Sequence, residues 1–222
     1  MLTKRLSEIL SHTKGSRTLA DVGCDHGYLG YEALKRGYAL RVIATDVSEK
    51  SLDKARRLFY ENGYDELVEF RCGDGLSVLD KDEADTIVIS GMGGREIVKI
   101  LQNSDCKFSK LILSPQSEQE FVRRYLVGHG YRLTHDYVMR DTKFYWLIVA
   151  ILGDDSYSDE EYYFGRDNLS GDNDSFVEWL DSEIERFRTV VSSTVSDTIK
   201  SKFLQDIEHF ENLKKHVISG GI

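Results

Sequence analysis

From residue 18 to 152, short apolar runs alternate with amphipathic stretches. "TLADVG" (18–23), "LRVIATD" (40–46), "LVEFRC" (67–72), "ADTIVISG" (84–91) and "SKLILS" (109–114) are rich in Val, Ile or Leu. Most of them end at Gly, Asp or Ser, which predicts short buried strands closed by turns. Apolar residues at helical spacing lie between them. "HGYLGYEALKRG" stops at Gly37, and "SEKSLDKARRLFYENG" opens on a Ser48 cap and stops at Gly63. "GREIVKILQN" follows Gly94, and "SEQEFVRRYLVGHG" opens at Ser117. Strands alternating with capped helices predict βαβ units, a parallel sheet and helices on both its faces.

The alternation ends at "YRLTHDYVMRDTKFYWLIVAIL", two strand-like runs around the polar turn "RDTK" with no helix between them. That is a β-hairpin, so the last strand runs antiparallel. The pattern predicts an α/β class I methyltransferase Rossmann-like fold: a mostly parallel seven-stranded sheet with its last strand antiparallel. After residue 153, "GDDSYSDEEYYFGRDNLSGDND" is polar and reads as a linker. Two helical patterns follow. Phe176, Leu180, Ile184, Phe187 and Val191 recur at three or four residues, as do Val195, Ile199, Phe203, Ile207, Phe210, Leu213 and Val217. With a turn and cap at "SSTVSD", they predict a C-terminal antiparallel α-helical hairpin, a coiled coil. The expected domains are 1–153 and 154–222.

Charge sharpens that boundary. Of the net −9, residues 154–222 hold 16 acidic and 7 basic residues, while residues 1–153 hold 22 of each. No run approaches a membrane span. The leading "MLTKRLSEILSHTKGSR" is amphipathic and charged throughout, without the apolar run of a secretory signal. Cys24, Cys72 and Cys106 match no zinc spacing and suit a reducing compartment. The expectation is a cytoplasmic protein, a monomer with an oligomer left open.

The candidate chemistry centres on "LADVGCDHGYLG" (19–30). A Gly-x-Gly-x-x-Gly turn serves a pyrophosphate. Here Asp25 sits inside the turn, where an anion would be repelled. S-adenosylmethionine has no phosphate; it carries a sulfonium, an ammonium, a carboxylate, a ribose and an adenine. Asp21 at the strand end can organise the loop facing its ammonium, and Gly23 lets the chain turn against it. Asp46, about 20 residues past the turn, suits the ribose hydroxyls. Asp74, in "CGDGL" after the third strand, can accept from the adenine amino group. The fourth strand ends in "SGMGGRE", which supplies backbone and space to a methyl acceptor. The fifth ends in "LSPQS", where Pro115 and Gln116 either line the acceptor pocket or simply make a turn.

"DVGCDHGYL", "GDGL", "SGMGG" and "LILSPQ", in that order and spacing, resemble the bacterial TrmK family over almost the whole chain. The resemblance implies S-adenosylmethionine as donor, tRNA as substrate, methylation of adenine N1 at tRNA position 22, and no metal. The chain departs from the family pattern at Cys24, at Ser114-Pro115-Gln116 and at Tyr145-Trp146. The expected donor contacts are Asp21, Gly23, Cys24, Tyr28, Asp46, Val47, Gly73, Asp74, Gly75, Gly91, Met92 and Gly93. The expected tRNA contacts are Gly94, Arg95, Pro115, Gln116, Lys4 and Arg5, with Lys14, Arg17, Lys99, Arg123 and Arg124 as further cations. Asp25 is the expected base for the exocyclic amine. His26 is either the runner-up base or a loop-orienting residue. The alternatives are a small-molecule methyltransferase and a non-catalytic donor- or RNA-binding module.

Overall fold

A computed structural model describes residues 2–104, 106–171 and 173–219 of the protein. A first helix, α1 (Lys4–Ser11), is capped by Thr3, whose side chain accepts from the Leu6 N–H. Then β1 (Ser16–Val22), α2 (Tyr28–Lys35), β2 (Ala39–Asp46), α3 (Glu49–Glu61) and β3 (Val68–Cys72) follow. After them come β4 (Thr86–Ser90), α4 (Gly94–Gln102), β5 (Lys110–Ser114), α5 (Gln119–Gly128), β6 (Tyr131–Arg140) and β7 (Phe144–Leu152).

The seven strands form one sheet in the order β3-β2-β1-β4-β5-β7-β6. β1 to β5 are parallel, and β7 runs antiparallel to both β5 and β6. The Rossmann-like class I pattern expected from the sequence is therefore present, including the reversed closing strand. Strand order reverses direction between β1 and β4. At such a switch point the connections leave to opposite faces, opening a crevice at the carboxyl ends of both strands.

Side-chain alternation splits the core into two layers. Ile87 and Ile89 pack with Ile97, Leu101, Val122 and Leu126 under α4 and α5. Val88 and Ile112 point the other way and pack with Leu10, Leu34, Leu52 and Phe59 under α1, α2 and α3. Ser48 caps α3 as expected, accepting from the Ser51 N–H. α5 does not open on Ser117. Glu118 precedes it at φ 55, and the Ser117 carbonyl accepts from the Gly94 N–H at 2.9 Å. This ties the β5–α5 turn to the start of α4. A Cβ at Gly94 would lie 2.5 Å from the Glu118 carbonyl oxygen, so only glycine fits there.

The stretch after residue 153 is folded, contrary to the expected linker. It forms α6 (Asp159–Phe164) and α7 (Arg166–Leu169); its Asp172 lies outside the described residues. A reciprocal capping box at Ser158 and Glu161 starts α6. One residue that holds the segment is Arg123, expected on the surface but fully buried. Its guanidinium meets the buried Asp136 carboxylate at 2.8 Å and donates to the Tyr162 and Tyr163 carbonyls at 3.0 and 3.1 Å. Asp155, Asp167 and the buried Asn168 accept from the Leu133, Asp136 and Val138 N–H groups of β6, so a polar-rich segment is held by side-chain bonds that composition could not reveal.

Two long helices, α8 (Asp174–Ser193) and α9 (Asp197–Ile218), complete the chain. Asp181 pairs with Lys214 and Arg188 with Glu211, so the helices run antiparallel. Phe176, Leu180, Ile184, Phe187, Ile207, Phe210, Leu213 and Val217 share a core with Val138 and Trp146 of the β-hairpin. Val195 does not belong to the second helix: it is 95% exposed in the connection, and Ser196 caps α9 behind it.

Candidate active site

The carboxyl ends of β1 to β5 surround a cavity of about 480 Å³. Its floor is the turn after β1. Gly23 and Cys24 donate their backbone N–H groups to the Thr45 carbonyl of β2 at 2.8 and 2.9 Å. Gly23 has φ 70, and a Cβ there would meet only the movable end of the Met92 side chain, so backbone conformation is what requires glycine. Gly27, at φ 71, lies where a Cβ would stand 2.8 Å from that of Ala55. The turn is thereby pressed against α3.

Asp21 ends its strand buried, accepting from the Gly30 N–H at 3.3 Å. Burial pushes its carboxyl up to about 7; the Gly30 N–H opposes the shift, and the Asp46 charge adds to it. Asp46 is a bracket for the next turn. One oxygen accepts from the Ser48 N–H at 2.8 Å, the other from the Asp25 N–H at 3.1 Å. Asp74 follows β3 and Gly75 (φ 59) turns the chain away, 2.9 Å from Ile100 as a Cβ would meet it. The Cys24 thiol is pushed up by burial and by Asp21, Asp46 and Asp25, so it is no nucleophile.

Asp25 occupies the left-handed region at φ 50, uncommon for a residue with a Cβ. Its side chain is 70% exposed at the cavity wall and meets the His26 Nδ1 at 2.7 Å. His26 Nε2 lies 3.2 Å from Lys54 Nζ, and its ring stacks on Tyr28 at 5.8 Å. The two catalytic candidates are therefore one unit. A carboxylate orients an imidazole, and a lysine stands behind it.

The loop after β4 makes the opposite wall. Gly91 (φ 87) donates to the Ser114 carbonyl at 3.3 Å, and the Gln116 N–H donates to the Met92 carbonyl at 2.9 Å. Asp21, Gly23, Cys24, Asp25, His26, Tyr28, Asp46, Val47, Gly73, Asp74, Gly75, Gly91, Met92 and Gln116 all line the cavity. Gly93, Gly94, Arg95, Pro115 and Lys4 are not part of its lining. Gly93 caps α4 behind the wall, and Pro115 is buried. Arg95 pairs with Glu118 and lies over the Phe121 ring. Lys4 borders a separate groove with Glu8, Tyr137 and Asp167.

Several expected cations are spoken for or misplaced. Arg123 is the interior pair already described, and Arg124 is held by Glu120 and Asp159. Lys14 and Arg17 flank the amino end of β1, the far end of the sheet from the cavity. Arg5, expected on the tRNA backbone, instead lines the cavity. Thr45, Ser90, Glu96 and Ile100 line it too and were missed. Thr45 lies inside "LRVIATD", and Ser90 and Glu96 are the ends of "SGMGGRE", so all three could have been found there. Ile100 reads as an ordinary helix position until α4 is placed. Among the described residues, no cluster of three or more His, Cys, Asp or Glu is placed to hold a metal, and no helix is long and apolar enough to cross a membrane.

A family model described as a methyltransferase domain matches residues 2–149. The tRNA (adenine(22)-N(1))-methyltransferase of Bacillus subtilis (strain 168) is 34% identical over 157 residues, covering 69% of this chain. The match spans 66% of that relative's own length. The crystal structure of B. subtilis TrmK, an m1A22 tRNA methyltransferase, superposes with a TM-score of 0.82 at 28% identity, covering 98% of this chain and 99% of that one. A candidate tRNA (m1A22) methyltransferase of Streptococcus pneumoniae, in complex with S-adenosyl-L-methionine, superposes at 0.86 with 26% identity over 98% and 100% of the two chains. With the sheet order and the cavity at its switch point, these matches agree: the chain belongs to the methyltransferase-domain family, in its TrmK branch.

Proposed function

We propose that the protein transfers a methyl group from S-adenosylmethionine to N1 of the adenine at position 22 of tRNA. The observation that carries the proposal is the set of acids at the ends of three neighbouring strands, Asp21, Asp46 and Asp74, around one cavity with no phosphate-binding turn. Asp21 takes the donor's ammonium, Asp46 the ribose hydroxyls and Asp74 the adenine amino group. The glycine turns at Gly23 and Gly91 let backbone approach both sides of the methyl group. The S. pneumoniae complex with the same donor and the name of the B. subtilis relative support donor and target alike.

The adenine N1 lone pair attacks the sulfonium methyl in line. The N1–C bond forms as the S–C bond breaks, its electron pair stays on sulfur, and S-adenosylhomocysteine leaves. Alignment in a dry cavity supplies much of the rate. The base gains the positive charge, which is discharged when the exocyclic amine gives up a proton. Asp25 stabilises that charge and takes the proton, with His26 fixing the carboxylate from the other side. N1 lies on the Watson–Crick edge, so a paired target is opened before attack. Residues 1–153 carry the transfer, and residues 154–222 shape the docking of the tRNA. With all three cysteines free, the cytoplasm suits the chain.

The test is incubation with methyl-labelled donor and unmodified tRNA, then digestion to nucleosides. Labelled N1-methyladenosine is expected, and none from tRNA with another base at position 22. Label only in small molecules would establish a different substrate class.

A further inference from the structure

Most cations first expected on the tRNA are out of play. Arg95, Arg123 and Arg124 hold carboxylates, and Lys14 and Arg17 lie at the far end of the sheet. The tip of the β6–β7 hairpin supplies what they do not. β7 pairs antiparallel with β5, Ile148 opposite Leu113, so residues 144–146 run on past Ser114, the carboxyl end of β5. At about 3.3 Å per residue, the tip rises about 10 Å beyond the strand ends that ring the cavity. Arg5 joins tip and site. Its backbone N–H donates to the Asp141 carboxylate at 3.1 Å, and Arg5 itself lines the cavity with its guanidinium over the Tyr145 ring.

Two exposed cations crown the tip, Arg140 and Lys143. Both rest on its half-buried rings. The Arg140 guanidinium is 4.5 Å from the Phe144 centroid, and the Lys143 ammonium is 5.3 Å from that of Tyr145. The Asp141 N–H donates to the Lys143 carbonyl at 3.0 Å, and the Thr142 and Tyr145 hydroxyls lie 3.2 Å apart, which closes the turn. The turn's one acid, Asp141, faces the Arg5 backbone. Among the described residues, no carboxylate lies within ion-pair distance of Arg140 or Lys143. On other faces Arg56, Arg71, Arg166 and Arg188 hold two carboxylates each.

A ring fixes a guanidinium in place but leaves its N–H fork free, and a phosphate accepts from that fork in pairs. On a chain of net charge −9, two cations held by rings rather than by acids, beside the mouth of the cavity, suit a polyanion. We propose that the β6–β7 tip is a docking surface for the tRNA backbone, with Arg140 and Lys143 binding phosphates next to the target nucleotide. This rests on tRNA being the substrate, as proposed above. In the sequence, "RDTK" shows only a polar turn, because nothing within it tells that the turn stands over the cavity.

The probe is an unmodified tRNA transcript with adenine at position 22. Its affinity for the full chain is measured across a salt series, with calorimetric titration of S-adenosylmethionine and thermal melting as controls. Arg140→Gln with Lys143→Gln is expected to weaken tRNA binding about tenfold at low salt. It should also flatten the slope of log K against log salt by about 1.5, the share of two phosphate contacts. KM for tRNA should rise in step, while kcat at saturating tRNA, donor affinity and melting temperature stay unchanged. Arg140→Lys with Lys143→Arg keeps both charges and should keep the slope. Lys14→Gln with Arg17→Gln removes the same charge at the far end of the sheet and should leave tRNA affinity unchanged. An unchanged slope in the tip variant overturns the proposal. So does an equal loss on removing Lys14 and Arg17, which would reduce the effect to net charge. Wild-type protein that neither binds nor methylates the transcript would instead overturn the substrate reading itself.

Discussion

The rim of the cavity and the C-terminal helical pair are built by opposite rules. At the rim, backbone sits in left-handed conformations at Gly23, Asp25, Gly27, Gly75 and Gly91, and Asp21 is buried with a single backbone donor. In the helical pair, Phe176, Phe187 and Phe210 interlock while ion pairs such as Arg188–Glu211 line the outside. The first region gives up local stability to hold groups for a ligand that is absent from the folding problem. The second buries one apolar core, and among the described residues no side-chain polar atom of the two helices is buried without a partner. The difference teaches where to look for chemistry. Left-handed backbone concentrates at the site, whereas regular packing marks support.

The sharpest way to break this comparison is to damage the support and watch the site. Phe176→Ala removes a fully buried ring that packs against Phe164 and Trp179. It should cost about 3–5 kcal/mol of unfolding free energy, measured by denaturant titration. Donor affinity of the protein that remains folded should stay unchanged. A parallel loss of donor affinity would mean the two regions are one machine.

The converse damage leaves the fold alone. Asp25→Asn keeps the shape of the turn and the backbone N–H held by Asp46. Single-turnover methylation of tRNA at saturating donor should fall about 100-fold, the scale of one general base, with the melting temperature unmoved. Near-normal turnover would assign Asp25 to loop geometry only.

A smaller effect distinguishes Asp21 from the structural acids. Its raised carboxyl is neutral below about pH 7 and cannot then face an ammonium. Donor affinity should therefore drop by up to about tenfold per unit as pH falls below 7, by one-proton linkage. Stability moves the other way. The unfolded chain ionises Asp21 near its ordinary 3.8 and the folded chain only near 7, so stability declines as pH rises across that window and is level above it. Asp21→Asn should remove both slopes, read by calorimetry and by pH-dependent unfolding.

Much of this was legible in the chain. Strand runs, caps at Ser48 and Ser196, the closing hairpin and the paired helices follow from periodicity and capping, which act within a few residues. The glycine turn with its internal acid indicated a cationic ligand, because each of those residues reports its own backbone or charge requirement. Other features needed partners far away in sequence. The segment after residue 153 looked like a linker because its apolar anchors, Phe164 and Leu169, are few and its clasp is Arg123 with Asp136. Arg95 looked free because its acid, Glu118, lies on another element, and Arg124 has a second acid, Asp159, beyond the helical neighbour Glu120.

By itself, then, the sequence determined which elements form and which ligand chemistry the first turn can accept. Those depend on hydrophobic period, backbone freedom and the charge of single residues. Only the tertiary structure decided which charges are spent. Arg123 became an interior clasp and Arg5 a cavity wall 85 residues in sequence from the Ser90 it touches. The physical reason is that a charge takes its role from the dielectric and the partners around it. Those are fixed by strand order and helix packing, not by its neighbours along the chain.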